Sequence, residues 1–145
     1  MMKSIFDHIE LLVRLAGIGQ ICLAAGSTAI PGILKWKTEL TKVNPLIRHI
    51  FWMYAGYILV INFCFGFVSA FCAHDLTNGS KLAVLNTGFI GLYWVSRICI
   101  QFFGFERKNF PTGKWLVFGE IVLVSLFLFL CIVYASAFYS NLQKL

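Results

Sequence analysis

Two ionisable side chains sit inside strongly apolar runs: Arg97 in "YWVSRICIQFF" and Glu120 in "WLVFGEIVLV". Residues of this kind can form a buried ion pair, hold an anionic headgroup, quinone, ion or substrate between helices, or relay protons through the carboxylate. Arg97 lies about eight residues before the end of its run and Glu120 about six residues into the next. At 1.5 Å per helical residue both are roughly 9 to 12 Å deep from the same side. A lone charge at mid-bilayer costs from ~3 to more than 10 kcal/mol, and pairing removes most of that. The sequence therefore predicts an Arg97–Glu120 ion pair, with Gln101 and either Tyr54 or His49 completing its hydrogen bonds.

Spacings of three and four place Asn86, Ile90, Tyr93, Arg97 and Gln101 on one helical face. Two other runs carry matching small and polar faces: Ala16, Gln20, Ala24 and Ser27 in the first, and Ala55, Asn62, Gly66 and Ser69 in the second. Small residues let backbones approach, and amides crosslink helices within lipid. Arg97, Gln101, Glu120, Asn62, Gln20, Asn86 and Tyr93 thus form the expected intramembrane polar cluster, either structural or ligand-binding. The fourth run, dominated by Leu, Ile, Val and Phe, reads as the most lipid-exposed.

Outside the apolar runs, "DHIE" (7–10) and "CAHD" (72–75) fall on one expected side, so His8, Glu10, His74 and Asp75 are the candidate metal ligands. Chance clustering of helix ends is the simpler reading, and no metal is predicted. Cys22, Cys64, Cys72, Cys99 and Cys131 are scattered singly, without CxxC or zinc-finger spacing, and read as small hydrophobes. No serine, cysteine or metal hydrolase signature and no glycine-rich phosphate loop occurs, so nothing in the motifs supports an enzyme. No cofactor is predicted; a lipid or quinone between the helices is the ligand such a site allows.

The elements that must position these residues follow from composition. Of the 145 residues, 59% are hydrophobic and 12% charged, against about a quarter charged in a soluble domain; the mean hydropathy is +0.82. Four apolar runs of bilayer-spanning length are present, about 11–34, 49–74, 82–105 and 115–139. Each is expected to be a helix, because an unpaired backbone cannot cross lipid and no barrel-like alternation occurs. The predicted fold is all-α: a single membrane domain over residues 1–145, with four transmembrane helices in an antiparallel up-down bundle. A cleaved leader is not expected, since Asp7, Glu10 and Arg14 interrupt the first run's flank and core.

Net charge is +6. The basic residues lie in short segments between apolar runs, not along one face, which argues for membrane topology and against nucleic-acid binding. Lys35, Lys37, Lys42, Arg48, Arg107, Lys108 and Lys114 outnumber Lys3, Lys81 and Lys144 on the other side. Loops 35–48 and 106–114 are accordingly expected in the cytoplasm and both termini outside, in a membrane such as the bacterial inner (plasma) membrane. Trp36, Trp52 and Trp115 mark the cytoplasmic interface, and Tyr134 and Tyr139 the outer one, as an aromatic belt. "DLTNGS" (75–80) reads as a tight turn with positive φ at Asn78 and Gly79. The function expected from these features is that of an accessory or assembly subunit in a larger membrane complex, its partners being the bilayer and other membrane subunits or its own copies. A small homo-oligomeric transporter or channel using the Arg/Glu pair is the alternative, and a membrane enzyme or binder acting on lipid or quinone a further one.

Overall fold

The computed structural model describes residue 4, residues 7–104 and residues 113–145. All regular structure among them is helical, and four helical spans are long and apolar enough to cross a membrane: Ile9–Ile33, Pro45–Phe71, Lys81–Gly104 and Lys114–Lys144. Their continuous α-helical parts are α1 (Ile9–Ser27), α2 (Pro45–Phe71), α3 (Lys81–Cys99) and α4 (Lys114–Lys144). Arg107, Lys108 and Pro111 of the second basic loop lie outside the described residues.

Local chemistry explains the ends. Asn44 caps α2 by accepting from Leu46 N at 2.9 Å, with Pro45 in the first turn where its missing N–H is harmless. Ser80 caps α3 through Ala83 N at 3.1 Å. At the end of α1, Ser27 and Thr28 hydroxyls turn back onto the carbonyls of Ala24 and Ala25, competing with further α-helix just before Pro31. The last turn of the third span widens into a π-helical segment, Ile100–Gly104. In the turn before α3 only Gly79 takes positive φ, 77°. Asn78 instead accepts from Ser80 N at 2.9 Å, which corrects the expectation of two left-handed residues.

α1 packs on α2, α3 on α4, and α1 on α4. The α1–α2 crossing is glycine on glycine: a Cβ on Gly17 would lie 2.8 Å from Gly66 O and 2.7 Å from Ser69 C, both backbone atoms. α4 reaches α3 across Gly88, which faces Phe138, and Gly91, which faces Tyr134. α2 meets α3 through Phe65, whose ring lies 5.3 Å from Tyr93 and 6.1 Å from Phe89.

Burial is confined to one half of the assembly. Among the described residues, every buried one lies in 9–24, 62–94 or 127–141. Residues 25–61, 95–104 and 113–126 contain none, although Ile50, Phe51, Met53, Phe118 and Ile121 there are large and apolar. The half bearing the chain ends is closed; the half bearing residues 28–44 is open. This also corrects the reading of α4 as the most lipid-exposed helix. Its second half buries Phe127, Leu130, Val133, Tyr134, Ala137, Ser140 and Asn141, more than any other helix. The expectation failed because a face of Leu, Val and Ala looks alike whether it meets lipid or protein.

Gly17→Ala is expected to destabilise the chain by about 1–3 kcal/mol in denaturant titration of the micelle-solubilised protein, since backbone must yield. Gly56→Ala, where a Cβ meets nothing within 4 Å, should be neutral or stabilising by up to ~1 kcal/mol.

Candidate functional site

The polar residues of the closed half form two joints. At the first, Gln20, Ser69, Trp94 and Tyr134, one from each helix, are all fully buried. The indole of Trp94 donates to Gln20 Oε1 at 3.2 Å. Because an indole nitrogen can only donate, this orients the amide with its NH2 group toward Tyr134. Gln20 Nε2 donates to Tyr134 Oη and also reaches Ala16 O at 3.4 Å. Tyr134 Oη and Ser69 Oγ share a further hydrogen bond, and donation by the phenol satisfies the one proton that Gln20 leaves unused. The joint thus ties all four helices to one another through side-chain hydrogen bonds.

The second joint ties the end of α4 to the turn before α3. Asn141 Nδ2 donates to Leu76 O at 2.7 Å and reaches Thr87 Oγ1 at 3.4 Å, while Asn141 Oδ1 accepts from Gly79 N at 3.1 Å. Lys144 Nζ donates to Thr77 O at 3.0 Å, and its side chain packs where a Cβ on residue 79 would stand. The turn's glycine is thus required twice, for its φ and for its bareness.

Arg97 lies at the border of closed and open halves. Its guanidinium carbon is 5.8 Å from the centroid of Phe127, a cation–π distance. Its Nε is buried without a hydrogen-bond partner among the described residues. Nearby, Tyr93 Oη donates to Asn62 Oδ1 at 2.8 Å, linking α3 to α2. Gln101 is half-buried in the π-helical turn, and Asn86 is exposed.

The expected Arg97–Glu120 pair is absent among the described residues, whose ion pairs are Arg14–Glu10, Lys42–Glu39 and His74–Glu10. The α3–α4 register explains this. Thr87 meets Asn141, Gly91 meets Tyr134, and Arg97 meets Phe127. Glu120 is seven residues before Phe127, so it stands two helical turns, about 10 Å, from the level of Arg97. Counting from the ends of the apolar runs missed this offset because α4 continues to Lys144, five residues beyond its run.

Of the metal candidates, the structure brings His74 Nδ1 to 3.5 Å from Glu10 Oε2. The other Glu10 oxygen faces Arg14 at 3.4 Å, a cation where a metal would compete. His8 and Asp75 are exposed, and no group of three or more His, Cys, Asp or Glu side chains gathers among the described residues.

Gln20, Ser69, Asn62 and Tyr93 are therefore joined to protein partners, as their faces suggested. Trp94, Thr87, Tyr134 and Asn141 were missed as joints. The inward stripe of α3 is Ala83, Thr87, Ile90 and Trp94, turned from the predicted one so that Asn86 faces out. A signal was present in Trp94: a tryptophan in mid-run, not at an interface, has an N–H that needs an acceptor. Compared with protein-family models, curated proteins and solved structures, the chain matches none.

The register predicts that exchanging charges does not restore what single reversal removes. Arg97→Glu/Glu120→Arg should show a folded fraction, by size-exclusion chromatography in detergent, no higher than the worse single variant; recovery to near the native fraction would place the two side chains in contact.

Proposed function

We propose that this chain is an accessory or assembly subunit of a larger membrane complex. On this reading its four helices cross the bilayer in alternating directions as an antiparallel bundle, with both termini outside and the segments 35–48 and 106–114 in the cytoplasm, in a membrane such as the bacterial inner membrane. The closed half is a self-sufficient clamp, and the open half docks against helices of a partner.

The observation that carries the reading is Arg97: a guanidinium with a buried, unbonded Nε at the mouth of the open half. Within hydrocarbon such a charge is held by a counterion or by water-filled space. Among the described residues no carboxylate pairs with Arg97, and on this reading its complement is an acidic or carbonyl group from another membrane subunit. The exposed apolar residues of 45–61 and 114–122 supply the surface around it, and the bare helix at Gly56 and Gly119, where a Cβ meets nothing within 4 Å, gives room for close helix approach. Joining of the closed half's polar groups to one another weighs against a transport path through it.

A photo-crosslinking residue at Phe118, in the open half, should give one discrete protein adduct in native membranes, lost in Arg97→Leu and partly kept in Arg97→Lys. The same residue at Leu85, on the outer face of the closed half, should not. An adduct of twice the chain's mass identifies self-association. Absence of any adduct, or one indifferent to Arg97, contradicts the reading.

A further inference from the structure

Between α1 and α2 the chain makes two short helical turns, Ile30–Ile33 and Trp36–Glu39, hinged at Lys35. Lys35 is the one non-glycine residue among those described with positive φ, 53°, a left-handed conformation that is unfavourable for an L-residue. The hinge is held from both sides. Lys35 N donates to Gly32 O at 3.2 Å, and Lys35 O accepts from Thr38 N and Glu39 N, each at 3.0 Å. Trp36, next in sequence, packs edge-on against Phe51 at 4.8 Å and Trp52 at 5.8 Å between ring centroids.

This folding encloses a shallow cleft of about 340 Å³ lined by Pro31, Gly32, Lys35, Lys37 and Thr38. Its charge is unneutralised: neither Lys35 nor Lys37 has a carboxylate within 4.0 Å among the described residues, and the adjacent acid, Glu39, is held by Lys42 at 2.9 Å. Thr38 adds a hydroxyl donor. Indole rings favour the headgroup level of a bilayer, and Ile33 and Leu34, which in sequence lie between the lining residues Gly32 and Lys35, are both exposed.

We propose that this cleft is a headgroup site for an anionic phospholipid. The phosphodiester sits between Lys35 and Lys37, with Thr38 donating to a phosphate oxygen, and the acyl chains lie along Ile33 and Leu34. The inference rests on the membrane-spanning reading of the chain. It differs from the general attraction of basic loops to anionic lipid, because it requires the cleft as well as the charge.

Gly32 separates the two. It lines the cleft and a Cβ there meets nothing within 4 Å, so Gly32→Leu adds bulk to the cleft wall without a clash and without a change of net charge. The test is native mass spectrometry of the detergent-solubilised full chain with equimolar phosphatidylglycerol and phosphatidylcholine. Phosphatidylglycerol adducts should dominate. Lys35→Ala/Lys37→Ala should lower their ratio to phosphatidylcholine by up to roughly 30-fold, about fivefold per lysine, and Gly32→Leu should lower it at least fivefold. Equal adducts on the native chain, or a ratio unchanged by Gly32→Leu, overturn the site; displacement of the lipid by water-soluble glycerol phosphate overturns its assignment to a lipid. Alkaline extraction of membranes reads the spanning itself: release of the chain defeats that reading, whereas retention without lipid preference defeats this proposal alone.

Discussion

In hydrocarbon a polar side chain must find another polar group, and in this chain four of them find each other at one point. Tyr134 stands where α1, α2 and α4 converge, and Gln20 extends the junction to Trp94 on α3. Intramembrane hydrogen bonds contribute about 0.6 to 1.7 kcal/mol each. Their sum is modest, but the alternative arrangements are poor, because any slip of one helix leaves a buried amide, phenol or indole unpaired. The dispersion contacts of leucine and valine tolerate sliding; this junction does not.

The rest of the closed half follows from that constraint. With the junction in place, Gly17 and Gly66 allow α1 and α2 to touch backbone to backbone, and Asn141 reaches the turn at Gly79. These contacts set the α3–α4 register, which in turn puts Arg97 over Phe127 and Glu120 two turns away. Beyond Arg97 no described residue of 95–104 or 113–126 is buried. The open half thus begins where burial ends, and Arg97 at its edge gives that opening a chemical character.

The four helices were legible from apolar run length alone, since lipid admits so few backbone solutions. The faces of α1 and α2 were legible too, because Gln20, Asn62, Gly66 and Ser69 are conspicuous among greasy neighbours. The face of α3 was misjudged. Asn86 is the more polar residue, but Thr87 is tolerated inside because its hydroxyl can donate to Ala83 O at 2.7 Å within its own helix. Tyr134 suggested a belt residue by its position near a run end, whereas the helix continues ten residues further. Register between helices depends on contacts that no one-dimensional count of depth contains. The hinge at Lys35 was similarly invisible, because lysine carries no sign of a left-handed backbone.

The most direct test of the junction's role is a double-mutant cycle on Gln20→Leu and Tyr134→Phe, read as unfolding free energy in mixed micelles. The two side chains are predicted to couple by about 1 kcal/mol. Effects that simply add, within ~0.3 kcal/mol, would contradict a fold organised around this junction.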